Sequence, residues 1–237
     1  MYLSNKFYTQ FAESYAQYAS TKEAYLSAVN NFIKEETDIV KTMIDVGSGD
    51  GKRGKLISNF FNIKNFVILD SSEGMIDMAK NITNALVIKA DISSNEFKLE
   101  NKYDVVLCLW NVLGHIAVGN RKIALKNLSS LVENNGVVFL DVNNRYNVVH
   151  YGIRSVIKNL FKDVFLPKKT NGDFSLKIDV KGTQINTIVH IFNPFEIERL
   201  FKSAGFLVLK RKIIDYKTGE IKNNLWEGQL VYKLKKI

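Results

Sequence analysis

Five short, almost unbroken apolar runs recur along the chain: TMIDV (42–46), NFVILD (65–70), ALVIKA (85–90), YDVVLCLW (103–110) and NGVVFLDV (135–142). They are short and show no apolar–polar alternation. That is the pattern of strands buried on both faces, as in a parallel sheet. Helical stretches at 52–61, 72–80 and 120–133 separate most of them. The alternation predicts a doubly wound, Rossmann-like α/β sheet.

Flanking segments add to this frame. Residues 4–18 carry Phe7, Phe11, Tyr15 and Tyr18 at helical spacing. Ser20 with Glu23 reads as a capping box that opens a second helix, ending near Glu35. Beyond residue 143 the rhythm changes. Residues 146–165 read as a helix, and 173–192 as two strands around Lys181-Gly182. Asn193-Pro194 starts a helix that Gly205 ends. Residues 206–215 and 228–236 make a last antiparallel pair. The expectation is one domain over 1–237, with a helical cap at 1–36 and an inserted substrate cover at 146–192.

The 237 residues suit one such domain. Without an apolar run near 18 residues, no membrane span is expected. The start lacks a charged-then-apolar leader pattern, so the expectation is a cytoplasmic protein. The single Cys108 makes no internal disulfide or cysteine metal cluster, and no metal site is expected. The net charge of +9 is uneven: residues 1–150 hold 16 basic and 16 acidic side chains, and 151–237 hold 17 and 8. Such an excess suits an anionic partner, or simply a lysine-rich composition.

The sharpest local signal is MIDVGSGDGKRG (43–54), in which Gly47, Gly49 and Gly51 follow a strand and open a helix. Glycines let backbone approach a ligand, and a helix start offers free N–H groups. An ATPase-type phosphate loop fails here, because the spacing is one residue short and Arg53 replaces the hydroxyl. Gly49, Gly51 and Gly54 fit a dinucleotide fingerprint. Asp45 at the strand end would repel a pyrophosphate and favours a ligand with a cationic head, held directly or through the loop. Asp70 ends the second strand, where a carboxylate can take two ribose hydroxyl protons. Met75 and Ile76 follow, beside the ligand or in the core. Asp91 can accept from an exocyclic amine, with Ile92 on an adenine face, or it can cap a turn.

With these residues, and with YDVVLCLWNVLGHI (103–116) and SAGF (203–206), the chain resembles the class I S-adenosylmethionine-dependent methyltransferases over most of 40–215. The resemblance implies a seven-stranded sheet with the last strand antiparallel. It implies S-adenosylmethionine as cofactor, contacted by Gly47, Gly49, Gly51, Asp70, Asp91 and Ile92. Asp45, Ser48, Ser71, Met75, Ala90, Leu109 and Trp110 complete the expected cofactor set.

Methyl transfer needs alignment and exclusion of water, and for some acceptors a base. His115 is the candidate base; its other reading is a hydrogen-bonded structural histidine. Asn111, Asn143, Asn144, Arg145, Tyr146, His150 and Tyr151 crowd the expected acceptor side, or form a polar loop leading into a helix. Tyr8, Tyr15 and Tyr18 cap the pocket or face the core. His190, mid-strand, reads as structural. After the fourth strand, Leu109-Trp110-Asn111-Val112 replaces the Asn/Asp-Pro-Pro-aromatic motif of base methylation, and Cys108 sits inside a strand. The expected acceptor is therefore a small molecule methylated at N or O, with an anionic group as one option. RNA methylation, NAD-dependent oxidoreduction and non-catalytic cofactor binding are the alternatives.

Overall fold

The computed structural model describes residues 3–82, 84–180 and 183–237. Its helices are α1 (Leu3–Ser20), α2 (Glu23–Glu35), α3 (Lys52–Phe60), α4 (Glu73–Ala79), α5 (Arg121–Ser130), α6 (Val148–Tyr151), α7 (Ile153–Phe165) and α8 (Pro194–Ser203). Its strands are β1 (Met43–Val46), β2 (Phe66–Asp70), β3 (Ala85–Lys89), β4 (Tyr103–Cys108), β5 (Val132–Val142), β6 (Asp173–Val180), β7 (Thr183–His190), β8 (Phe206–Ile214), β9 (Ile221–Lys222) and β10 (Gln229–Lys236). The main sheet has the order β3-β2-β1-β4-β5-β10-β8-β9. Strands β1 to β5 pair in parallel, and β10 enters antiparallel between β5 and β8. A Rossmann-like sheet with its last long strand reversed is thus present. The eighth strand, β9, has two residues and no apolar run that could announce it.

Four of the five continuous apolar runs are explained by the two cores they feed; β3, at the sheet edge, is only partly covered, with Leu86 58% exposed. Ile44, Val46, Val106, Cys108 and Leu140 face one side, against Leu125, Leu128 and Phe201. Their neighbours Met43, Val105, Leu107 and Phe139 face the other, against Tyr25, Val29, Phe32 and Ile57. Successive strand residues point to opposite faces, so a strand covered on both sides must be apolar at every position.

Two local expectations are corrected. Ser20 does not cap α2; α1 runs through it, and its hydroxyl donates to the Gln17 carbonyl at 2.7 Å. Lys22 stands at the α2 start with no side-chain cap. The helix expected over 146–165 is broken in two, because Gly152 adopts a φ of 79° between α6 and α7. At α8 the expected signals hold: the Asn193 side chain accepts from the Glu196 N–H, and Gly205 has a φ of 81°. Strands β6 and β7 form an antiparallel pair apart from the main sheet, and the expected Lys181-Gly182 turn lies outside the described residues.

Helix α1 packs on α4 and β7. Gly74 permits the approach to α4, where a Cβ would stand 2.8 Å from the Thr9 carbonyl. Phe7 and Phe11 are buried against Ile185 of β7. Among the described residues, no helix is long and apolar enough to cross a membrane.

Candidate active site

The carboxyl ends of β1, β2 and β4 open into a cavity of about 380 Å³, within the range of small-molecule sites. Its floor is the glycine turn. Gly47 and Gly49 have φ of 70° and 59°, a region disfavoured for residues with a Cβ. A Cβ on Gly47 would lie 2.6 Å from Val112, and one on Gly49 would lie 2.8 Å from the Tyr15 hydroxyl. Glycine is therefore required by both conformation and space. Asp70 is locked beside the turn: its carboxylate accepts from the Gly49 N–H at 2.9 Å and the Ser72 N–H at 2.8 Å. Burial raises its pKa, while these donors pull the other way. Asp91 accepts from the N–H and hydroxyl of Ser93 through one oxygen. Leu69, Met75, Ala90 and Ile92 form an apolar slot between the two carboxylates.

The end of β4 is strained. Trp110 and Asn111 both have positive φ, 63° and 60°, which costs on the order of 1–3 kcal/mol each. The Trp110 N–H donates to the buried Asp141 carboxylate, and the Asn111 N–H to the Asp141 carbonyl. The Asn111 side chain accepts from the Asn143 N–H at 3.1 Å and donates to the His190 carbonyl at 3.4 Å. These bonds present Trp110 to the cavity. His115 follows in a 3-10 turn (112–115), with Nε2 3.0 Å from the Tyr8 hydroxyl and Nδ1 buried without a partner. Burial pushes its pKa down to about 4, so the ring is neutral at pH 7. Burial, then the charge of Asp70, pushes the Tyr8 phenol up, so it stays protonated.

Most of the residues singled out in the sequence line this cavity: Tyr8, Tyr15, Tyr18, Gly47, Gly49, Asp70, Ser71, Met75, Ala90, Asp91, Ile92, Leu109, Trp110, Asn111, His115, Asn143, His150 and Tyr151. Asp45, Ser48, Gly51, Asn144, Arg145 and Tyr146 do not. Asp45 lies beneath α3, where a Cβ on Gly54 would meet its Oδ2 at 2.6 Å. Ser48 is buried with its hydroxyl unpartnered. Gly51 starts α3 and packs towards Ile68. Asn144 ties β5 to the β9–β10 connection, donating to the Leu225 and Gly228 carbonyls. Arg145 grips Asp163 and Glu196, and Tyr146 donates to Asp163. A polar cluster after a strand can serve tertiary structure as well as a ligand, and these three do the former. Sequence reasoning missed Tyr216, which accepts from Trp110 Nε1 at 3.1 Å, and the hairpin residues Phe174, Leu176 and Val189. Strand alternation carried the hairpin signal: Phe174 and Leu176 share a face, and Phe174 pairs with Val189. An isolated tyrosine after β8 carried none.

Asp45 yields a pH prediction. Burial raises its pKa to about 7, against the opposing charge of Arg53. An unfolded aspartate ionises near 4, so the folded state binds more protons between about pH 4 and 7 and stability falls as pH rises through that window. Asp45→Asn is therefore expected to raise Tm at pH 8 relative to wild type, with the gain shrinking at pH 5. Equal shifts at both pH values in thermal melts would contradict this assignment.

A family model described as a methyltransferase domain matches residues 15–211. No curated protein matches the chain. Among solved structures, an S-adenosylmethionine-dependent methyltransferase from Clostridium acetobutylicum ATCC 824 superposes with a TM-score of 0.68 at 15% identity, covering 97% of this chain and 98% of that one. DhpI, in complex with SAH, gives 0.68 at 15%, covering 99% and 95%. A possible histamine N-methyltransferase from Thermotoga maritima gives 0.66 at 17%, covering 99% and 100%. At these identities the likeness is one of fold.

Proposed function

This chain belongs to the methyltransferase-domain family, and from that premise we propose that it methylates a small molecule at N or O, within the cavity walled by α1 and the β6–β7 hairpin. S-adenosylmethionine is the methyl donor; it supplies an activated methyl on a sulfonium. The residues present suit it. Asp70 has lone pairs left for a ribose diol, and Asp91 has one oxygen left for an adenine amine. The slot between them is apolar, and the glycine turn lets backbone approach the amino-acid end. Among the described lining residues there is no lysine or arginine, which argues against the diphosphate of a dinucleotide.

The observation that carries the small-molecule reading is enclosure. Residues 1–36 and 146–192 serve as cap and cover in this proposal: Tyr8, Tyr15 and Tyr18 close one side, and Phe174, Leu176 and Val189 the other. Enclosure excludes water and aligns acceptor with methyl group, which is most of what this reaction needs from a protein. His115 is the proton acceptor in this scheme, neutral at pH 7 and oriented by Tyr8.

Three measurements test this. With methyl-labelled donor, label is expected in a small-metabolite extract; label found only in added tRNA or rRNA would overturn the reading. Calorimetry is expected to detect S-adenosylmethionine and not NAD(H). His115→Ala is expected to lower kcat at saturating acceptor by roughly 100-fold, the usual scale for a lost proton-transfer group. Unchanged turnover would remove it as base.

A further inference from the structure

We infer that the acceptor is an amine on a flat apolar body, without an anionic group. The inference rests on the methyltransferase reading of the same cavity. It comes from what lines the space. Nine of the 30 lining residues are phenylalanine, tyrosine or tryptophan, against 11% of the whole chain. The only charged lining residues described are Asp70 and Asp91, both acidic. With both carboxylates taken by the cofactor in this reading, an acceptor carboxylate or phosphate would find no lysine or arginine among the described lining residues and would lose its hydration without a partner. The basic excess of residues 151–237 does not reach this lining.

The rings are arranged as a cage. Tyr18 stacks on Trp110 with centroids 5.7 Å apart and planes 16° apart, and Tyr15 meets Trp110 edge-on at 5.4 Å. Trp110 is fixed by its bond to Tyr216, and His150 stands edge-on to Tyr216 at 5.2 Å and Tyr151 at 4.6 Å. Electron-rich ring faces attract cations and repel anions. One ring of the cage already has such a partner: the Lys22 ammonium lies 5.0 Å from the Tyr216 centroid. The cage tyrosines Tyr15, Tyr151 and Tyr216 are kept protonated, chiefly by burial, so they add no negative charge of their own.

The step balances without another reactant. The acceptor enters as an ammonium and sheds one proton, which His115 accepts in this scheme. The freed nitrogen lone pair forms the new N–C bond to the methyl carbon. The C–S electron pair returns to sulfur, leaving a neutral thioether and a methylated ammonium.

Matched acceptors test this. With S-adenosylmethionine present, 2-phenylethylamine and related arylalkylamines are to be compared with phenylalanine, which adds a carboxylate, and with phenyl phosphate. S-adenosylhomocysteine formation is the readout. The amines are expected to be turned over, with kcat/KM for the carboxylate and phosphate compounds lower by on the order of 100-fold, as an anion desolvated without a partner implies. Tyr151→Leu is expected to raise KM for the amine by on the order of tenfold while leaving the cofactor Kd within twofold. Tyr151→Lys is expected to disfavour the amine further and improve phenylalanine. Turnover of the anionic compounds with the amines inert would overturn the inference. So would an arylalkylamine panel left wholly inert by a protein that binds S-adenosylmethionine. Failure to bind S-adenosylmethionine in calorimetry would instead sink the reading beneath it.

Discussion

Replacing Arg145 with leucine is expected to destabilise the fold by about 3–5 kcal/mol, the usual cost of removing one member of a buried ion pair. At roughly 2–4 °C per kcal/mol for a domain of this size, Tm should fall by about 10 °C or more. The guanidinium donates to both Asp163 oxygens at 2.8 Å, to Glu196 at 2.7 Å and to the Ile191 carbonyl at 2.9 Å. Its side chain is 4% exposed. Burial alone would raise the pKa values of its partners. Instead both lie below the ordinary carboxylate value, Asp163 through bonds from Arg145 and Tyr146, and Glu196 through His190 and Arg145. Their contribution is therefore complete above pH 4 to 5 and is lost as pH falls through the lowered values. Arg145→Leu leaves Asp163 without its main partner and Glu196 with His190 alone, and Asp163→Leu added to it should recover part of the loss. S-adenosylmethionine affinity should stay within a fewfold of wild type, because Arg145 does not line the cavity. A Tm change under about 2 °C would count against the clamp. A cofactor Kd raised in a folded variant would return Arg145 to the binding site.

Asp70→Ala has the largest expected effect on activity. Two buried N–H groups, of Gly49 and Ser72, lose their acceptor, and the proposed diol loses its own. Hydrogen bonds to a charged group contribute about 1.5–3 kcal/mol each. Two of them to the ribose translate into a Kd for S-adenosylmethionine higher by on the order of 100-fold or more. Asp70→Asn keeps an oxygen acceptor and should lie between wild type and alanine. Titration calorimetry on protein shown by its melting curve to be folded makes the comparison. A Kd within threefold of wild type for the alanine variant would remove Asp70 from the cofactor site.

These two residues mark where the sequence could be read and where it could not. The place of Asp70 in the cavity was legible because its signal is local: a strand ends, a glycine turn lies alongside, and the carboxylate sits between. Trp110 and His115 were legible for the same reason, following β4 directly. Arg145 looked alike, a polar residue just past a strand, yet its partners Asp163, Ile191 and Glu196 are 18, 46 and 51 positions away. No spacing rule links them. Asp45 was read as serving a ligand directly or through the loop; it lies under α3 and off the cavity lining, where burial raises its pKa to about 7. The hairpin was legible as strands, but its attachment was not. His190 looked structural because its neighbours are apolar, and its ring bonds Asp173 at 2.5 Å and Glu196 at 3.0 Å, partners from β6 and α8.

That attachment fixes one wall of the cavity. On the hairpin side, Asp173 and His190 are bound to Arg121 and Glu196, and Arg145 adds a bond to Ile191 just past β7. Lifting the hairpin means separating charged groups packed between α5, α7 and α8. On the α1 side, Asn5 bonds the Ser71 carbonyl, Thr9 pairs with Ser72, and Tyr8 with His115. Phe7 and Phe11 of the same helix are buried against Ile185 of the hairpin. The aromatic wall and the hairpin wall therefore share one apolar seam, so a substitution that loosens the hairpin also loosens the tyrosines that line the cavity.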